Sequence, residues 1–183
     1  HNKEKKKKGA FLGLLAINNS KPSNLSKAKA YLKRFESFEA KPIYLDSAFR
    51  FLQLTNNNFT SYIQYYYLKN DSKGLINYVM SNEVDSSRYS NADLAIAYSR
   101  MGEVFDSKNL SNDAEVYFKK SVKLMPYVID YKIKYGSFLV NNNQIDIAEQ
   151  ILSDALNLNP TIKQTHLNLG LISILKSEFI IAE

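Results

Sequence analysis

The chain has 183 residues, no cysteine, and a formal net charge of +6. The missing cysteine excludes disulfides, thiol catalysis and cysteine-based metal sites, and fits either a reducing compartment or a bacterial envelope protein that needs no staples. Lys3, Lys5, Lys6, Lys7 and Lys8, less Glu4, supply +4 of the charge, so a nearly balanced body follows a basic tail over residues 1–8.

The tail reads as a solvated, disordered terminus. Its sharper reading is contact with an acidic membrane surface, following an anchor or signal segment ahead of His1. A nucleic-acid arm has little weight, because no aromatic residues interleave the lysines. The longest apolar stretch, Ala10 to Ile17, is far too short to span a bilayer.

Residues 9–90 read as degenerate helical hairpins. Phe11 to Ile17 belongs to a first helix, and Leu25 to Phe38 to its partner. Ala28, Tyr31 and Leu32 repeat the spacing of Ala114, Tyr117 and Phe118 further on. Pro42 opens a helix from Ile43 to Leu54, with Leu45, Ala48, Phe49 and Leu52 at helical spacing, and Asn56 to Asn58 ends it. Phe59 to Leu68 follows as a helix. Its Tyr62, Tyr65, Tyr66 and Tyr67 point in several helical directions, so at least one faces solvent or a partner. They form a candidate aromatic contact patch beside the simpler reading of core packing. Ser72 to Met80 is a short helix weakened by Gly74, and Glu83 to Ser90 is a polar connector.

From residue 91 onward the landmarks recur every 34 residues: Gly102, Gly136, Gly170; Ala114, Ala148, Ala182; Pro126, Pro160. The copies span 95–128, 129–162 and an incomplete 163–183. The glycine lets the first helix of each copy approach the second closely, and the alanine does the same from the other side. Large residues such as Met101, Phe105 and Phe118 fill the space between them. The proline starts the next helix. In the second copy Asn141, Asn142 and Asn143 form the turn, since asparagine tolerates the left-handed conformation that ends a helix. Asp146 and Ser111 to Asp113 supply helix N-terminal charges and caps.

This pattern resembles the tetratricopeptide repeat (TPR) family over residues 91–183. The resemblance implies an all-α solenoid of stacked antiparallel helix pairs, and about nine to eleven helices fit the length. Two positions depart from the family pattern: Lys132 and His166 stand where an aromatic is expected, and Ser173 where a bulky residue is expected. The third copy stops early in its second helix, near Phe179 to Ala182, an apolar end that something should cover.

Nothing in the sequence has the spacing of a catalytic site. There is no phosphate loop, no H-E-x-x-H and no nucleophile elbow, and His166 has no positioned partner. The sequence therefore points to a non-enzymatic scaffold without metal or cofactor. By resemblance, the first helices of the copies line the binding groove. Arg100 and Glu103 are the polar selectors there, and Ile133, Leu167, Leu171, Ile174 and Leu175 the apolar contacts. A chaperone-tail clamp would need lysine and asparagine where the copies carry Ser99 and Glu103, Ile133 and Ser137, Leu167 and Leu171, so that partner is excluded. The expected partner is an amphipathic helix or apolar segment of another protein. The alternatives are a homodimer and a membrane-associated adaptor using the lysine tail.

Overall fold

The computed structural model describes residues 22–37, 40–55, 58–83 and 86–182, with side chains through Ser177. The basic tail and the stretch Phe11 to Ile17 lie outside the described residues. Within them the protein is all-α, with nine α-helices and no strand. They are α1 (Asn24–Ser37), α2 (Pro42–Gln53), α3 (Phe59–Leu68), α4 (Ser72–Glu83), α5 (Asn91–Asp106), α6 (Ser111–Leu124), α7 (Ile129–Asn141), α8 (Ile145–Leu158) and α9 (Lys163–Ala182). A short 3-10 turn, Ser86–Arg88, interrupts the polar connector.

The chain divides into two units between Lys69 and Asn70. This boundary falls upstream of the one expected at residue 90, because α4 packs on α5. In the first unit α1, α2 and α3 contact one another pairwise. Pro42 occupies the first turn of α2, where its missing N–H costs nothing, and Lys41 before it is extended. Ala28, Leu32, Leu45, Ala48, Leu52 and Tyr65 form the core. Asn58 precedes α3 and is buried. Its Nδ2 donates to the Leu52 carbonyl at 2.9 Å, which satisfies an end of α2.

In the second unit α5 pairs with α6, and α7 with α8. Ser90 starts α5 with a reciprocal cap: its hydroxyl accepts from the Asp93 backbone N–H, and the Asp93 carboxylate accepts from the Ser90 N–H. Each pair turns the same way. Asn109 and Asn143 adopt positive φ, 59° and 58°. The following N–H groups reach back to α5 and α7, Leu110 to the Phe105 carbonyl at 3.0 Å and Gln144 to the Leu139 carbonyl at 2.9 Å. Both turns satisfy orphan carbonyls with an asparagine in the left-handed region.

The glycines and alanines do what their spacing implies in these two pairs. A Cβ on Gly102 would lie 2.8 Å from the Phe118 ring, and one on Gly136 would lie 2.5 Å from Leu152 Cγ. Ala114 and Ala148 are fully buried in the same seams. The substituted Lys132 is buried too, its stem in the place of an aromatic ring and its ammonium 3.1 Å from Asp154 on α8.

Three expectations are corrected. Pro126 and Pro160 do not start the next helix. They sit in exposed turns, three residues ahead of α7 and α9. The third copy does not turn into a second helix, since α9 runs unbroken from Lys163 to Ala182 and Ala182 shares a helix with Gly170. Residue 177, which corresponds to Asn109 and Asn143, is Ser, and its hydroxyl donates to the Ile174 carbonyl at 2.7 Å within the helix. Without an asparagine or glycine for the left-handed position, the helix continues. Ser111 is no cap either: Leu110 precedes α6, with no side-chain cap bond.

Candidate functional site

The first helices of the copies, α5, α7 and α9, contact one another in sequence order. Two side-chain bridges cross these contacts at the same repeat positions. Lys134 on α7 reaches Glu103 Oε1 on α5 at 3.0 Å. Asn168 on α9 donates to Ser137 Oγ on α7 at 2.7 Å. Donors and acceptors are each 34 residues apart in sequence, so one contact is used twice.

The polar selectors expected from the sequence are drawn into this ladder. Glu103 Oε2 accepts from Arg100 at 2.9 Å, and Lys134 also pairs with Asp130 at 3.1 Å. Each such pair near the surface is worth less than about 1 kcal/mol. Their effect is to align α5 with α7, and a ligand for Arg100 or Glu103 must compete with them. Ile133 is half-buried beside Lys134 in the sequence.

The next acceptor position in the series, after Glu103 and Ser137, is Leu171 on α9. It is 43% exposed, and Leu167 and Ile174 on the same helix face are 67% and 56% exposed. Spacing of four and three residues puts the three on one face. Leu175 is corrected: it packs against the core around Phe138 and Ile172 and does not belong to the exposed face. Gly170 lies on the adjoining face, and a Cβ there would meet nothing within 4 Å. His166 is exposed, with Nε2 2.6 Å from the Pro160 carbonyl.

The tyrosine patch is largely absorbed in the first unit. Tyr65 is buried and stacks on Phe49 at 4.9 Å, while Tyr62 and Tyr66 pack against the same core. Tyr67 is half-buried.

Sequence reasoning missed two polar clusters that hold the second unit together. Glu83, at the end of α4, accepts from Tyr98 at 3.0 Å and from Lys120 at 2.6 Å. Burial, reinforced by the hydrogen bond to Glu83, pushes the Tyr98 hydroxyl up to about 12. Glu115 on α6 receives Lys119 at 2.6 Å, Gln144 at 3.1 Å and the Tyr135 hydroxyl at 3.4 Å. The Lys119 bond, then the Gln144 bond, hold its carboxyl below the ordinary glutamate value of 4.5 against an opposing effect of burial. A depressed carboxylate stabilises the fold above its unfolded value and loses that contribution as pH falls through the folded one. The stability difference between wild type and Glu115→Gln should therefore be largest above pH 4.5 and shrink steadily below it. Urea midpoints at neutral and acidic pH measure this, and a constant difference would contradict it.

Among the described residues, no group of three or more His, Asp and Glu side chains could hold a metal ion. No described helix is long and apolar enough to cross a membrane. No protein-family model matches the chain, and a search of curated proteins finds no match.

Proposed function

We propose that the chain is a non-enzymatic, TPR-like solenoid scaffold that binds a segment of another protein along the face of α5, α7 and α9 and at the outer side of α9. The carrying observation is the row Leu167, Leu171 and Ile174, which continues the ladder positions of α5 and α7 but is apolar and exposed. Contiguous exposed apolar area of this kind marks interaction sites. An apolar helix face suits an amphipathic partner helix, whose large side chains would cover the row and leave its polar side in water. The ion pairs of Arg100, Glu103 and Lys134 form the polar rim and favour partners that offer charge without displacing them.

The test is affinity capture from the native organism with the wild-type protein and with Leu171→Glu. The variant should lose the captured protein while its helical circular dichroism is unchanged. Val116→Glu, at an exposed position on α6, should keep it. Capture by Leu171→Glu at wild-type level would overturn the assignment of the face.

A further inference from the structure

The geometry points to a second copy of this chain as the occupant of the outer face of α9. This inference rests on the proposed role of that face and names what covers it. The face is self-complementary. Take two α9 helices antiparallel, related by a two-fold axis between residues 170 and 171. Residues equally distant from that centre then face each other, as an isologous interface requires. Leu167 meets Ile174 of the second copy, and Leu171 meets Gly170 of the second copy, each twice.

The Gly170 pairing has two precedents inside the protein. At Gly102 the Phe118 ring fills the space a side chain would take, and at Gly136 Leu152 does. On α9 that space is open, and a large apolar residue stands beside it, at Leu171, ready to fill the same space on a second molecule. The register also carries a charge match. It sets position 163, a lysine, opposite position 178, a glutamate, at both ends of the seam. A parallel pairing would face each of these positions with itself, lysine on lysine. The contact also extends the α5–α7 and α7–α9 series by one helix, with leucine in place of the polar acceptors Glu103 and Ser137.

Sedimentation equilibrium across a concentration series tests this directly. The mass should rise to twice 21.0 kDa. Leu171→Glu buries two carboxylates in the seam and should weaken association about 100-fold without changing helicity. Because the chain has no cysteine, single introduced thiols read the register. A mixture of Leu167→Cys and Ile174→Cys should cross-link through a short thiol-to-thiol reagent, and each alone should not. A protein that stays monomeric to millimolar concentration, a dimer unaffected by Leu171→Glu, or efficient cross-linking of either variant with itself would each overturn the inference. A monomer that still captures another protein through Leu171 overturns this inference and leaves the proposed scaffold standing. A dimer with the cysteine pattern above and no captured protein supports the inference and removes the other-protein reading.

Discussion

Gly136→Leu is expected to destabilise the second unit at the upper end of the ~1–3 kcal/mol that overpacking costs, or beyond it. The first added atom would already lie 2.5 Å from Leu152 Cγ and 2.6 Å from its Cδ2. Leu152 cannot retreat, since it is fully buried among Ala148, Phe138 and Leu139. The substitution must push α7 and α8 apart, and it would strain the Asn143 turn that joins them. The comparison that isolates the cause is Gly170→Ala. It sits at the same repeat position with nothing to collide with, so it should stabilise the monomer by about 0.5–1 kcal/mol through helix propensity. Urea unfolding at low protein concentration, where association does not contribute, should show the two variants moving in opposite directions. Equal effects would mean that the glycine positions act through backbone freedom and not through close packing.

The same pair of glycines shows what could be read in the sequence and what could not. A 34-residue interval located the small residues at Gly102 and Gly136, and both are closed by the side chains at the expected partner positions. It located Gly170 equally well but carried the helix pair one step too far. The period records similar residues, whereas the turn depends on one left-handed residue, and that residue is present at 109 and 143 and absent at 177. Reading the turn position as strictly as the glycine position would have kept α9 whole. Helix α5 shows the converse. Its cap, Ser90 with Asp93 three residues on, was legible as a local motif and was lost in a stretch that looked merely polar. The prolines misled because their fixed φ suits a turn as well as a first helical residue.

The candidate face was legible as a set of positions but not as a set of states. Helical spacing put Leu167, Leu171 and Ile174 together, and they are together and exposed. The same spacing assigned Leu175 to the face, yet a rotation of one residue step turns it to the core. Arg100 and Glu103 were found as charges, but their use against Lys134 depends on a neighbouring helix that one sequence position cannot report. Long-range polar contacts such as Glu83 with Lys120 follow from packing and leave no periodic trace.

Phe138→Ala should have the largest effect of all, about 3–5 kcal/mol, from lost burial plus the cavity that remains. Phe138 is 2% exposed and stands between the two complete helix pairs, with its ring 5.2 Å from Phe118 on α6 and 6.4 Å from Tyr135 on its own helix. It belongs to one core that includes Ala114 and Phe118 from the first pair and Ala148 and Leu152 from the second. A single pair has too little apolar surface to be stable alone, so repeats of this size depend on the contact between neighbours. Against a total stability of 5–15 kcal/mol for a typical domain, that loss would bring the second unit near its unfolding threshold. The neighbouring Ser137, which receives Asn168 from α9, would lose its fixed position, and the exposed row on α9 would loosen with it. Urea unfolding followed by circular dichroism should show a large drop in midpoint, and association through α9 should weaken even though Phe138 touches nothing outside the fold. A loss below about 1 kcal/mol, the scale of an ordinary surface change, would mean that the helix pairs are stable separately and share no common core.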